Sequence, residues 1–149
     1  MTEPPKPFEL EFYQDQDTGR FPVHEWIKTE LTGYQRRALG TAMSEILQMV
    51  GKDVCKSEYG KNLGGGLYEF RLRQDSDEIV AKFTTKTPDG ERDESKILLR
   101  VFFHPHGNHL LLLLAGYDKS RDPGGKREDN EIRLARKRLT QYRSGKAGS

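Results

Sequence analysis

The sequence has little of what stabilises secreted or membrane-embedded proteins. Its single cysteine, Cys55, cannot form an internal disulfide, which fits a reducing compartment. Its longest apolar run, Leu110 to Ala115, is far shorter than the roughly 20 residues that cross a bilayer. No signal-type apolar segment follows the polar, proline-rich residues Met1 to Pro7. We therefore expect a cytoplasmic protein with no membrane partner.

The sequence also lacks the common motifs for cofactors and metals. The glycines Gly64 to Gly66 precede a predicted strand, whereas a phosphate-binding loop follows a strand and continues into a helix. We interpret them as a tight entry into that strand. The histidines His104, His106 and His109 share a turn, and their spacing matches no helical metal site. We expect neither a cofactor nor a metal, and we find no serine or paired-carboxylate catalytic motif.

Charge is spread unevenly along the chain. The formal net charge is only +2. Residues 119–149 carry ten Lys and Arg against four Asp and Glu, and the other 118 residues carry 15 against 19. The C-terminal part is therefore +6 and the remainder −4, which indicates an anionic partner for the C-terminal part or a solvated helix face with a basic tail.

Hydrophobic periodicity predicts a single α+β domain over residues 1–149. Period-two alternation or short apolar runs indicate strands, and 3.6-residue spacing indicates helices. The predicted strands are Phe8 to Gln14, Leu67 to Arg73, Ile97 to Phe103 and Leu110 to Gly116. The predicted helices start at Pro22, run from Tyr34 to Val50 with Gly51 as the stop, and run from Asp129 to Tyr142.

Three parts of the chain stand apart from this pattern. Residues 1–7 and 143–149 are predicted to be flexible tails. Residues 74–95 hold seven acidic and three basic residues and form an acidic insertion, which we interpret as a partly ordered hairpin with the third strand. The fourth strand is apolar on both sides and should be covered on both faces of the sheet.

Arginines inside two apolar strands are the strongest functional signal. Arg100 lies between Leu99 and Val101, and Arg71 and Arg73 share one face of their strand. A charge in an apolar strand is costly unless it is paired or needed. If the strands are adjacent, the guanidinium groups could converge on a concave surface and bind phosphate oxygens in pairs. The alternative is a structural salt bridge, for example between Arg100 and Glu69.

Several short motifs, in this order, resemble the RelE/ParE superfamily of bacterial toxins, and most closely its HigB-like, phage-derived branch. They are Lys61-Asn62-Leu63 before Gly66-Leu67-Tyr68-Glu69-Phe70-Arg71, then Leu99-Arg100-Val101-Phe102-Phe103, then Leu112 to Lys119, and finally Pro123, Glu131-Ile132, Ala135, Arg138 and Tyr142. The resemblance covers about Phe8 to Tyr142.

The resemblance implies a fold and an activity. The fold is a two-helix N-terminal hairpin packed on a small, mostly antiparallel, twisted sheet with a C-terminal helix. The activity is that of a messenger-RNA interferase, a metal-independent endoribonuclease that uses the RNA 2′-OH and usually acts in the ribosomal A site. The partners are messenger RNA and a helix-turn-helix antitoxin.

The resemblance also assigns roles to individual residues. Arg100 would stabilise the transition state, Arg71 would clamp the scissile phosphate, and Lys119 would neutralise charge or transfer a proton. The RNA-binding candidates are Arg73, Lys61, Tyr117, Arg121, Arg136 and Tyr142. No general base can be assigned.

Two alternatives remain open at this point. One is a ParE-like poison that shares the fold and inhibits DNA gyrase without cutting RNA. The other is a nucleic-acid-binding domain, or a toxin that has lost catalysis. The arginines inside the strands favour the nuclease, because a binding poison has no stated need for them.

Overall fold

The computed structural model describes residues 6–73 and 97–148, with the side chains of residues 146–148 outside the description. The N-terminal helices, a five-stranded mixed sheet and a C-terminal helix confirm the predicted α+β class. The helices are α1 (Pro22–Thr29), α2 (Gly33–Ala42), α3 (Gln48–Val50) and α4 (Gly125–Gly148). The strands are β1 (Glu9–Phe12), β2 (Gly60–Gly64), β3 (Leu67–Leu72), β4 (Leu99–His106) and β5 (Leu110–Asp118).

The strands lie in the order β1-β5-β4-β3-β2. Strand β1 pairs parallel with β5, and the other three pairs are antiparallel. Strand β5 therefore lies inside the sheet, and its residues Leu111 to Ala115 are buried, as its apolar sequence predicted. One extra residue, Leu114, bulges from β5 where its register with β4 shifts.

Helices α1 and α2 cover one face of the sheet. Thr32 caps α2 by accepting from the backbone N–H of Gln35, whose side chain accepts in turn from the backbone N–H of Thr32. Trp26, Leu39 and other apolar side chains of these helices pack on Phe70 and Val101 in the larger core. The sequence predicted this two-helix cover.

The predicted second helix is not one continuous α-helix. After α2 the chain makes a π-helical turn at Met43–Leu47, continues through α3 and then forms the 3₁₀ segment Gly51–Lys56. Gly51 has φ +57°, and a Cβ there would lie 2.8 Å from Cζ of Phe8. The predicted stop at Gly51 is therefore confirmed, because only glycine fits this turn against the Phe8 ring.

Strand β2 was not predicted from the sequence. We interpreted the segment from Lys52 to Asn62 as a loop. Its glycines break the alternation that marks a strand, and its pairing with β3 shifts between Asn62 and Gly64. The glycines Gly64, Gly65 and Gly66 all have positive φ and connect β2 to β3. Their predicted role as a tight entry into the following strand is confirmed.

Helix α4 covers the opposite face of the sheet and forms the smaller core. Ala135 and Leu139 pack there on Phe102, Leu112 and Tyr117. The helix starts before the predicted Asp129 and extends to Gly148, so the predicted flexible tail at 143–149 is wrong for residues 143–148. Residues 1–5 and the predicted acidic insertion at 74–95 lie outside the described residues.

Candidate phosphate-binding site

Two arginines and a tyrosine stand side by side across three neighbouring strands. Arg71 on β3 is directly opposite Arg100 on β4, and Arg100 is directly opposite Tyr117 on β5. Directly opposed residues of antiparallel strands project to the same face, here the face that α4 covers. The prediction that the two guanidinium groups share a face of adjacent strands is therefore confirmed. We call Arg71, Arg100 and Tyr117 the arginine row.

Opposing two arginines in this way is destabilising unless a negative charge compensates. Glu69 supplies part of that charge from β3, two residues before Arg71. The Nε of Arg71 donates to Oε1 of Glu69, and the Glu69 side chain is fully buried. This carboxylate faces both guanidinium groups, and the carboxyl of Glu128 on α4 lies beside it.

Three buried polar atoms of the site have no hydrogen-bond partner among the described residues. They are Nε of Arg100, Oε2 of Glu69 and the hydroxyl of Tyr117. Arg100 is only 1% exposed, and its Nη1 makes a long contact of 3.4 Å with the carbonyl oxygen of Leu99. Each such atom costs about 1–3 kcal/mol, so three together indicate a functional constraint or a missing ligand.

The structural salt bridge that we considered from the sequence, between Arg100 and Glu69, is not formed among the described residues. The paired carboxylate oxygen of Glu69 accepts from Arg71 instead. Arg100 and Glu69 are still close enough for the carboxylate to oppose the loss of charge on the guanidinium. An ion pair with Glu69 therefore does not account for the buried Arg100.

Burial changes the proton affinity of each group in the site. Desolvation lowers the pKa of Arg100, with Glu69 acting in the opposite direction. Desolvation also raises the pKa of Glu69, which Arg71 opposes and the carboxyl of Glu128 reinforces. The pKa of Tyr117 rises to about 12 through desolvation and the neighbouring Glu128. Tyr117 is therefore neutral at physiological pH and can act as a hydrogen-bond donor.

The first turns of α4 lie over the arginine row. The guanidinium of Arg127 stacks over the Tyr117 ring, 5.4 Å from its centroid. The same guanidinium donates to Glu131 at 3.0 Å and to Asp122 at 3.3 Å. The sequence predicted an open concave surface here. Instead α4 covers it, because the aromatic and aliphatic residues beside the arginines need an apolar partner.

Three further candidates lie around the rim of the row. Lys61 is exposed on β2 and directly opposite Glu69, and Arg73 is exposed just after β3. Lys119 follows β5, is half-buried, and donates its backbone N–H to the carbonyl of Leu98. The structure thus places Lys61, Arg73 and Lys119 near Arg71 and Arg100.

Arg121 lies on the same loop but is turned toward another partner. Its Nε is 3.7 Å from Oδ2 of Asp118, a buried carboxylate that also accepts from Nε2 of Gln35 at 2.7 Å. This contact ties α2 to the end of β5. Arg121 is exposed and can reach solvent, but its described contact is structural.

The last two RNA-binding candidates are not brought to the arginine row. Arg136 donates to the carbonyl oxygens of Leu63 at 2.9 Å and Gly64 at 3.1 Å, at the β2–β3 turn. Tyr142 donates to Oε2 of Glu11 at 3.1 Å, and its ring lies against His106. Both residues hold α4 onto the far end of the sheet.

Arg138 on α4 is turned toward the sheet. It is half-buried, and its Nη1 donates to the carbonyl of the bulged residue Leu114 at 2.7 Å. Its guanidinium also stacks over the ring of Tyr13. The bulge turns this carbonyl out of the strand ladder, and Arg138 satisfies it.

Sequence reasoning missed Arg127 and Glu128, because it started the last helix at Asp129. A signal was present: Arg127 and Glu131 are four residues apart, the spacing of a helical ion pair.

The histidine turn lies at the opposite end of β4 from Arg100. Among the residues that the structure describes, no group of three or more His, Cys, Asp and Glu could hold a metal ion.

Comparisons with known proteins find no match for this chain among protein-family models, curated proteins or solved structures. Within the described ranges, no helix has the length and apolar character needed to cross a membrane.

Proposed function

We propose that this protein is a metal-independent endoribonuclease that cleaves messenger RNA in the cytoplasm as the toxin of a toxin–antitoxin pair. One observation carries the proposal: Arg71 and Arg100 oppose each other on adjacent strands, and the buried Arg100 has an Nε with no partner among the described residues. An arrangement that costs stability in this way is typical of a functional site. Paired guanidinium groups suit a phosphate, which presents oxygens to both.

The chemistry needs few groups from the protein. The ribose 2′-oxygen attacks the adjacent phosphorus, the bond from phosphorus to the 5′-oxygen breaks, and a 2′,3′-cyclic phosphate and a 5′-hydroxyl remain. The enzyme must align these atoms and stabilise the added negative charge on the phosphoryl oxygens. In our proposal Arg100 stabilises that charge, Arg71 holds the phosphate, and Lys119 neutralises charge or delivers a proton.

Access to Arg100 is part of the proposal. With α4 in place, a phosphate can approach Arg71, whose side chain is 24% exposed, but cannot reach Arg100, which is 1% exposed. We therefore propose that the first turns of α4, around Arg127 and Glu128, move aside when RNA binds. Lys61, Arg73 and Arg121 would then contact the flanking phosphates.

The burial of Arg100 also favours the second candidate, a ParE-like gyrase poison, because binding to gyrase does not require access to that side chain. The partners that we propose for the nuclease are messenger RNA in the ribosomal A site and a helix-turn-helix antitoxin. They derive from the sequence resemblance, and the RNA itself offers the direct test.

The test is expression of the wild-type chain in a bacterial host, followed by growth measurement and mapping of messenger-RNA 5′ ends. We expect growth arrest with new cleavages inside coding regions. Cleavage on purified ribosomes should then leave 5′-hydroxyl and 2′,3′-cyclic phosphate ends. Arrest with intact RNA and defective DNA supercoiling would instead support the gyrase poison.

Loosening the start of α4 should speed cleavage. In Asp122→Asn, Arg127 loses its contact with a carboxylate 3.3 Å away. A partly exposed pair of this kind contributes about 0.2–1 kcal/mol, so we expect cleavage to rise by about 1.4- to fivefold. The measurement is the initial rate on ribosome-bound messenger RNA.

The matched control for this prediction is Asp129→Asn. It removes the same charge from an exposed position on α4 and leaves the Arg127 contacts in place. Both variants raise the net charge by one, so a general gain in attraction for RNA affects them equally. An equal rise in both variants would contradict the proposed movement of α4.

A further inference from the structure

A cavity of about 360 Å³ opens at the other end of the sheet from the arginine row. Its walls come from the N-terminal segment, the turn after α3, strand β3 and the β4–β5 turn. The residues that matter most are Phe8, Lys52, Asp53, Tyr68, His104 and Asn108. The volume is at the lower end of the range for small-molecule sites, roughly 300–1,000 Å³. None of the predicted site residues lines it.

Two aromatic rings form fixed walls of the cavity. The ring of Tyr68 stacks on Phe103, with centroids 5.7 Å apart and planes inclined by 27°. The ring of Phe8 packs against the backbone of Gly51, where any added Cβ would come within 2.8 Å of it. Because both rings are held by packing, a flat ligand could bind against them without first ordering these side chains.

The polar groups of the cavity offer both hydrogen-bond acceptors and donors. His104 borders the cavity: its Nδ1 donates to the carbonyl of Gly66 at 2.7 Å, and its ring lies beside His106 on the α4 face of the sheet. Burial lowers the pKa of His104, which keeps the ring neutral at physiological pH. Asn108 adds an exposed amide, and Asp53 an exposed carboxylate.

Lys52 is the one Lys or Arg among the described residues that line the cavity. Lys52 is exposed, directly after the Gly51 turn, and could meet an anionic group of a bound ligand. The cavity thus combines flat apolar walls, hydrogen-bonding groups of both kinds and one ammonium group. These are the features that a planar base, its polar edge and its phosphate require.

We propose that this cavity binds a nucleotide, with its base against Phe8 and Tyr68, the edge of the base on Asn108, and a phosphate near Lys52. The ligand is either a free mononucleotide or one residue of a single-stranded RNA. The site is separate from the arginine row, so it does not depend on RNA cleavage.

The experiment is isothermal titration of the four ribonucleoside 5′-monophosphates, and of single-stranded RNA tetranucleotides, into the full chain. We expect saturable binding with a dissociation constant of about 0.1–1 mM, as suits a half-open site with few hydrogen bonds. Binding of mononucleotides identifies a free nucleotide as a sufficient ligand, and binding of tetranucleotides alone identifies a base within RNA.

Three variants decide whether such binding occurs in the cavity. Lys52→Ala and Tyr68→Leu should each weaken binding at least fivefold, with thermal unfolding showing that the fold persists. Lys137→Ala removes one exposed cation from α4 and should leave binding unchanged. The proposal is overturned by an absence of saturable binding, by wild-type affinity in Lys52→Ala, or by an equal loss in Lys137→Ala. The mononucleotide titrations do not depend on whether the arginine row cleaves RNA, because a mononucleotide has no internucleotide bond.

Discussion

Replacing Arg100 with methionine should remove RNA cleavage while leaving the protein as stable as before. Methionine fills a similar elongated space without a charge. The guanidinium that it replaces is 1% exposed, and its Nε has no partner among the described residues. Since Arg100 forms no ion pair with a described residue, the substitution removes the cost of burying a charge and breaks no such pair. Loss of a main stabiliser of transition-state charge costs about 10²–10³ in rate.

Two measurements on the same preparation test this prediction. The rate of cleavage of ribosome-bound messenger RNA should fall at least a hundredfold, and the free energy of unfolding in urea should stay the same or rise. Arg133→Met is the matched control, because Arg133 is exposed on α4 and contacts Asn130. We expect it to change neither quantity.

The opposite pattern would identify Arg100 as structural. A fall of about 3–5 kcal/mol in the free energy of unfolding is the usual result of breaking a buried pair. That fall, together with unchanged cleavage by the folded fraction, would remove Arg100 from the site. Unchanged cleavage with unchanged stability would do the same, and would leave Arg71 without its proposed partner.

The largest loss of stability that we expect from one substitution is at Gly116. A Cβ at this position on β5 would lie 2.5 Å from Cζ3 and 3.0 Å from Cε3 of Trp26. The indole belongs to the packed core between α1 and the sheet and cannot move away easily. Gly116→Val should therefore lower the free energy of unfolding by about 3 kcal/mol, measured by urea denaturation.

A second substitution distinguishes this clash from a general effect of valine. In Trp26→Leu the smaller side chain leaves space that the methyl groups of the introduced valine can occupy, so the double variant should be more stable than the sum of the two losses by about 1–3 kcal/mol. Gly40→Val is the control, since nothing lies within 4 Å of a Cβ there. Strict additivity would show that the indole does not restrict position 116.

The elements of this protein could be predicted wherever one face of a segment is buried. The apolar run of β5 and the spacing of Trp26 and Leu39 predicted the interior strand and the helical cover correctly. Strand β2 was missed, because its glycines remove the side-chain pattern and its pairing with β3 defines it. The end of α4 was also missed, since the residues after Tyr142 carry almost no apolar signal.

The candidate site could likewise be predicted only in part. The sequence by itself identified Arg71 and Arg100, because a charge inside an apolar strand is costly and therefore conspicuous. Only the tertiary structure decided that the two arginines oppose each other, that Glu69 pairs with Arg71, and that α4 covers the row. Register and cover depend on contacts between segments that are far apart in the chain, and local periodicity carries no information about them.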